Sequence, residues 1–274
     1  MRTELVSIPT PTLPLDGALH RPDQAPVRGA VLLFHGNTMN FYVGAPRFLP
    51  PALTELGFVC LAFNRRGHDI LSIRDSRAAE GAAFQLTREG IEDNAIAAAW
   101  MAARGFPDPV VIGHSNGGML SVAHVVAHPR TPAMVLLSAH GGGRNGVVKT
   151  SRAGLLAGDQ LEQITEQARA MVAERRGREL MLVPGWWYVI TAESFLDRLT
   201  EMPDTLELAP KINCPVLYIR GDRENPDTYP AEAFAARSTG KCDVEIVPNC
   251  DHFYRGREDT VTALVAKWLG RTLT

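Results

Sequence analysis

The stretch Pro109-Val110-Val111-Ile112-Gly113-His114-Ser115-Asn116-Gly117-Gly118-Met119-Leu120 decides how this chain is read. Residues 109–112 form an apolar run of the kind that makes a buried strand, and residues 118–123 begin a helix-like segment. Between them, G-x-S-x-G reads as a sharp turn with a serine at its apex. In that setting the serine is held in a strained conformation that lifts its hydroxyl clear of the sheet. The flanking glycines fit because such a turn packs backbone against backbone and leaves no room for side chains. The alternative is a serine that merely caps the following helix.

Outward from this turn the chain alternates between strand-like and helix-like patterns. Runs at 30–34, 58–63, 110–112, 133–137, 216–219 and 244–247 read as strands, and 30–34 has the continuous apolar character of a strand covered on both faces. Two N-terminal runs, 3–8 and 13–20, bounded by proline, read as edge strands. Helices are expected near 48–56, with Pro50 and Pro51 in the first turn, over the alanine-rich 91–104, after Ser115, near 231–237, and at the C-terminus, where Val261, Leu264, Val265 and Trp268 share a face. The fold class that follows is α/β, a mostly parallel central sheet flanked by helices. From 141 to 210 the alternation stops. Leu161, Ile164, Ala168, Met171 and Val172 fall at helical spacing, a second helix is expected near 192–199, and no apolar strand separates them. The domain reading is a core of 1–140 and 211–274 with a helical cap inserted at 141–210.

The 274 residues are enough for a full hydrophobic core, and 45% hydrophobic with 21% charged residues is the composition of a globular protein. A net charge of −2 provides no electrostatic case for nucleic acid or an anionic membrane. No run approaches the 18 apolar residues of a membrane helix, and residues 1–7 lack the apolar core of a signal peptide. Cys60, Cys214, Cys242 and Cys250 have no metal-ligand spacing and read as reduced thiols. A cytoplasmic location is the expectation. Oligomeric state leaves no mark in the sequence.

Five segments taken in order are more specific than any one: Phe34-His35-Gly36-Asn37, Asn64-Arg65-Arg66-Gly67, the turn 113–117, Arg220-Gly221-Asp222-Arg223-Glu224, and Cys250-Asp251-His252-Phe253. With them the chain resembles the α/β-hydrolase superfamily over nearly its whole length. Their order matches that family's nucleophile, acid and histidine. The resemblance implies Ser115 as nucleophile and His252 as base. It implies Glu224 as acid, three residues after Gly221, with the shorter Asp222 as competitor. Backbone N–H groups of Asn37 and Asn116 would form the oxyanion hole. His35 and residues 64–69 would be structural, and His114 would point away from its neighbour. Family members with an aspartate nucleophile, the haloalkane dehalogenases and epoxide hydrolases, are disfavoured by Ser115-Asn116.

Such groups point to acyl transfer to water through an acyl-enzyme, without metal or organic cofactor. The expected substrate is a carboxylic ester or lactone of a small apolar or aromatic molecule. Carbon–carbon bond hydrolysis, acyl transfer to an alcohol, and ligand binding without turnover would use the same groups. Trp186, Trp187 and Tyr188, three adjacent aromatics in the cap, are candidate substrate-binding residues, although neighbours on one element cannot all face one way. The glycine run 141–143 reads as a hinge into the cap.

Overall fold

The computed structural model describes residues 1–24, 26–74, 77–185 and 189–273. The strands are β1 (Arg2–Ile8), β2 (Leu15–Arg21), β3 (Gly29–Phe34), β4 (Phe58–Phe63), β5 (Val110–His114), β6 (Met134–Leu137), β7 (Leu180–Leu182), β8 (Val189–Thr191), β9 (Val216–Gly221) and β10 (Cys242–Val247). The helices are α1 (Ala45–Phe48), α2 (Pro50–Glu55), α3 (Thr87–Ala102), α4 (Asn116–Ala127), α5 (Gly143–Arg152), α6 (Leu161–Ala173), α7 (Ala192–Thr200), α8 (Thr205–Leu208), α9 (Ala231–Arg237) and α10 (Glu258–Thr272).

Among the described residues, eight strands form one sheet in the order β1-β2-β4-β3-β5-β6-β9-β10. Strands β3 to β6, β9 and β10 run parallel, while β1 and β2 are antiparallel at one edge. The parallel strands β4 and β5 are buried throughout, whereas β1 exposes most of its residues at the edge. Side chains alternate between faces with period two. Leu32 and Phe34 pack on the layer formed by α3, α4 and α9, while Val31 and Leu33 pack on the layer of α1, α2 and α10.

Strand β3 lies between β4 and β5, so the winding reverses there. In open α/β sheets the crevice beyond the carboxyl ends of the strands at such a reversal is where ligands bind. Phe34 of β3 is paired with Gly113 of β5, so the chains carrying Asn37 and Ser115 leave the sheet side by side.

The inserted segment has its own small core, including Val147, Leu156, Ile164, Met171, Met181, Ile190 and Phe195. It differs from the purely helical expectation in one way. A two-stranded antiparallel ribbon, β7 with β8, joins α6 to α7. Three residues per strand are too few to show a period in sequence. Helix α5 also begins at Gly143, where the glycine run read as a hinge without a helix after it. Val172, placed on the apolar stripe of α6, is 41% exposed, while Ile164, Ala168 and Met171 are buried. The insertion is tied to the core by Asp197 Oδ2, which accepts from Thr87 N (2.7 Å) and Oγ1 (2.6 Å), and by Thr191 N donating to Ala83 O. No helix among the described residues is long and apolar enough to cross a membrane.

Candidate active site

Ser115 sits at the end of β5 with φ 55° and ψ −119°, a left-handed conformation that costs a non-glycine residue of order 1–3 kcal/mol. The surroundings hold it there. A Cβ on Gly113 would meet Ser121 Oγ at 2.2 Å and Gly117 O at 2.4 Å, and one on Gly117 would meet Phe34 O at 2.3 Å. Only glycine lets α4 leave the sheet here, and Ser115 lines the pockets beyond the strand ends.

His252 comes from the loop after β10 and Glu224 from the loop after β9. His252 Nε2 lies 3.0 Å from Ser115 Oγ, and His252 Nδ1 lies 2.7 Å from Glu224 Oε1. A carboxylate can only accept, so Nδ1 carries the proton and Nε2 is the basic nitrogen facing the serine. The other carboxylate oxygen, Oε2, accepts from Ser138 Oγ at 2.6 Å and from Gly221 N at 2.7 Å. The Tyr254 hydroxyl lies 2.7 Å from Ser138 Oγ and 3.2 Å from Ile219 O; because the serine proton is committed to Glu224, the phenol proton is shared between these two acceptors. Three donors thus hold a buried carboxylate in one orientation.

Asp222, the competing acid, is on the surface instead. Its oxygens accept from Asn249 N (2.9 Å) and Cys250 N (3.1 Å), and these bonds lower its pKa. It fastens the turn that carries the histidine loop. Nothing in the sequence marks Ser138 as a partner of Glu224 or Tyr254 as a partner of Ser138, because these pairs lie 86 and 116 positions apart; a polar residue directly after the buried strand β6 is the one signal for Ser138.

Asn37 and Asn116 both line a pocket with Ser115, and neither backbone N–H has a hydrogen-bond partner among the described residues. Two unpaired donors beside the serine are what an oxyanion would need. His35 is buried. Its Nδ1–H donates to Gly36 O at 2.8 Å and its Nε2 accepts from Arg65 N at 3.1 Å, while Arg65 Nη2 donates to His35 O at 2.6 Å. Burial holds its pKa well below the ordinary value, so it stays neutral and acts as a brace beneath the Asn37 loop. Asn64 Oδ1 accepts from Phe41 N, and Asn40 Nδ2 donates to Asp69 Oδ1, which ties the same loop to the end of β4.

His114 is more than a residue turned away from its neighbour. Its Nε2–H donates to the backbone carbonyl of His252 at 2.8 Å, and the two rings lie 4.8 Å apart. Burial, with the nearby His252 ring, pushes its pKa down to about 3. A neutral ring therefore holds the loop that positions His252.

Two pockets meet at Ser115. The inner one, about 30 Å³, is lined by Val147, Thr150, Leu156, Arg198 and His140. The outer one, about 470 Å³, is lined by His252, Tyr229, Phe253, Leu155 and Met39. The three cap aromatics Trp186, Trp187 and Tyr188 lie outside the described residues. Among the described residues no group of three or more His, Cys, Asp or Glu side chains is arranged to hold a metal ion.

Comparison with solved structures shows the same architecture elsewhere. Est1E from Butyrivibrio proteoclasticus with ferulic acid bound is similar over 98% of this chain and 99% of its own, with a TM-score of 0.73 and 17% identity. A highly thermostable carboxyl esterase from Bacillus coagulans is similar over the whole of both chains, with a TM-score of 0.72 and 15% identity. A dienelactone hydrolase from Anabaena variabilis is similar over 98% of this chain and 96% of its own, with a TM-score of 0.60 and 17% identity. At these identities the likeness is one of fold. No curated protein matches the sequence. A family model, described as the alpha/beta hydrolase family, matches residues 31–264. That match takes in the Ser115 turn, the Glu224 loop and the His252 loop within one continuous span, and this protein belongs to the alpha/beta hydrolase family.

Proposed function

We propose that the protein is a serine hydrolase that cleaves a carboxylic ester or lactone of a small apolar or aromatic molecule through an acyl-enzyme. The observation that carries this reading is the unbroken chain Glu224–His252–Ser115, at 2.7 and 3.0 Å, beside two unpaired backbone N–H groups.

Ser115 Oγ attacks the carbonyl carbon while His252 Nε2 takes its proton, and Glu224 stabilises the imidazolium that forms. Charge develops on the carbonyl oxygen, where the N–H groups of Asn37 and Asn116 face it; one such donor is worth about 10²–10³ in kcat. The C–O bond then breaks, and His252 returns the proton to the leaving oxygen. Water, deprotonated by the same nitrogen, attacks the acyl-enzyme and frees Ser115. Apolar walls at Leu155, Tyr229 and Phe253 suit an apolar or aromatic group. A neighbour in fold that holds ferulic acid and another that is a carboxyl esterase agree with that class.

Labelling with a fluorophosphonate tests the nucleophile. Intact mass should gain one adduct, absent in Ser115→Ala; no adduct, or one retained in that variant, refutes the reading. A p-nitrophenyl ester should give a burst followed by steady release, where a binding protein would give neither.

A further inference from the structure

The two pockets at Ser115 differ in size, charge and position relative to His252. After the first step His252 must hand its proton to the leaving oxygen, so the alcohol part of the substrate lies on the side of His252. That side is the outer pocket, which contains His252 and has about 470 Å³ of space. The inner pocket shares Ser115, Asn37 and Asn116 but not His252, so it faces the acyl part. Its volume of about 30 Å³ holds roughly two water-sized groups.

The inner pocket is not uniformly apolar. Among the described residues that line it, Arg198 of α7 carries the only formal charge, and the residue is 5% exposed. The other polar wall is occupied with itself. His140 Nδ1 accepts from Gly142 N at 2.9 Å, and its Nε2–H donates to Thr150 Oγ1 at 3.0 Å, while that hydroxyl donates to Gly146 O. Burial, with Arg198 and His252 nearby, pushes the His140 pKa down to about 4, so the ring is neutral. Burial likewise lowers Arg198 to about 10 against the opposing pull of Asp197, whose Oδ2 is committed to Thr87, and Arg198 stays charged at neutral pH. A second guanidinium, Arg65, is 1% exposed and interacts repulsively with Arg198; its Nε and Nη1 have no hydrogen-bond partner among the described residues. Asp93 offsets part of the Arg65 charge but is itself bonded to Arg66 at 2.7 Å. The one formal charge among the described residues on the wall of the inner pocket is therefore positive, in a place where few waters can screen it.

We propose that the inner pocket is the acyl site and that Arg198 there recognises a short acyl group ending in a carboxylate. The natural substrate class is then a half-ester of a small dicarboxylic acid, with its apolar or aromatic alcohol in the outer pocket. This rests on Ser115 being the nucleophile that becomes acylated. Arg198 also donates to Ala82 O at 3.3 Å, which anchors the cap to the core, so its test needs a readout that anchoring alone does not move.

Monophenyl malonate and phenyl isovalerate supply it. Their acyl groups, CH₂–CO₂⁻ and CH₂–CH(CH₃)₂, match in shape and differ in charge, and both release phenol. The wild-type protein should favour the malonate by about tenfold or more in kcat/KM, each rate corrected for hydrolysis in buffer. Arg198→Gln should reduce that ratio by about 10- to 100-fold, and Arg198→Lys should restore part of it. A wild-type ratio at or below one overturns the assignment without needing any variant to fold. A ratio unchanged in Arg198→Gln overturns it as well. Protein that takes the fluorophosphonate label yet shows no preference loses only the Arg198 assignment. Protein that takes no label loses the serine-hydrolase reading and this one with it.

Discussion

Replacing Glu224 with glutamine removes a charge while keeping the shape, and the outcome follows from which oxygen faces which donor. Oε2 receives the Ser138 hydroxyl and the Gly221 N–H, at 2.6 and 2.7 Å, and Oε1 faces His252 Nδ1 at 2.7 Å. A carboxylate accepts from all three, whereas glutamine offers one oxygen and one NH₂. With the amide oxygen toward His252, the NH₂ would confront the Gly221 N–H, a buried donor that cannot rotate away; leaving it unpaired costs about 1–3 kcal/mol. With the oxygen toward Gly221 and Ser138, the NH₂ faces His252 Nδ1, and the imidazole must move its proton to Nε2. That second arrangement is the cheaper one, and it leaves no base facing Ser115. A kcat loss of about 10³–10⁴ is expected from the wrong tautomer, equivalent to about 4–5.5 kcal/mol of barrier. Steady-state hydrolysis of p-nitrophenyl acetate measures it, and the rate of fluorophosphonate labelling should fall in parallel. Asp222→Asn is the comparator. Its side chain caps only the Asn249 and Cys250 amides, and a loss below about tenfold is expected. A larger loss in Asp222→Asn than in Glu224→Gln, or a Glu224→Gln enzyme within tenfold of wild type, refutes the reasoning.

Gly113→Ala forces a Cβ to within 2.2 Å of Ser121 Oγ and should cost about 3 kcal/mol or more, whereas Gly270→Ala, with open space around it on α10, should stabilise by up to about 1 kcal/mol; thermal melting compares the two. Ser138→Ala removes a donor to a buried carboxylate and should lower unfolding free energy by about 1.5–3 kcal/mol in a urea titration, with an unchanged midpoint counting against the network. His114, His124 and His140 have folded pKa values pushed by burial to about 3, 3 and 4, below the ordinary 6.5. The unfolded chain therefore binds protons that the folded chain refuses, and the stability present above pH 6.5 is lost as pH falls. Each histidine adds a slope of about 1.4 kcal/mol per pH unit between its two pKa values. Asp93, raised by burial from 3.8 to about 6, opposes this between those two pH values. A melting temperature that stays flat from pH 7 to 4.5 would contradict the balance, and His124→Gln should flatten the slope.

The sheet could be read from sequence because β4, β5 and β9 are buried on both faces and so appear as unbroken apolar runs. The serine turn was legible for the same steric reason that makes Gly113 and Gly117 indispensable. Legibility ends where the controlling contact is distant in sequence. Helix α3 begins at Thr87, four residues before the alanine-rich run, because Glu89 Oε2 accepts from Leu86 N and because Thr87 is held by Asp197 from the cap. Helix α5, with its polar sequence and two glycines, has almost no intrinsic preference for helix, and the burial of Val147 and Thr150 within the insertion explains it. Nothing in the sequence singles out Arg198 within the helix expected near 192–199. Its burial is a tertiary fact, created when α7 lies against α3 and the loop at Ala82.

The site draws one contribution from the end of almost every parallel strand. Strand β3 leads to Asn37, β5 to Ser115, β6 to Ser138, β9 to Glu224 and the loop after β10 to His252. Sheet register sets their spacing: Phe34 pairs with Gly113, His114 with Leu137, Leu137 with Ile219, and Gly221 with Val247. The hydrogen-bond chain from Tyr254 through Ser138 to Glu224 crosses the end of β6, the strand that separates β5 from β9. A shift of register in any one strand would thus break a hydrogen bond in the site, which couples chemistry to the most buried part of the molecule. The inner pocket has the opposite origin. Val147, Leu156, Arg198 and Met202 come from the insertion, whose own core is separate from the two layers on the sheet. On the proposed function, the bond-breaking groups belong to the sheet and the acyl specificity to the insertion, so selection could change the second without disturbing the first.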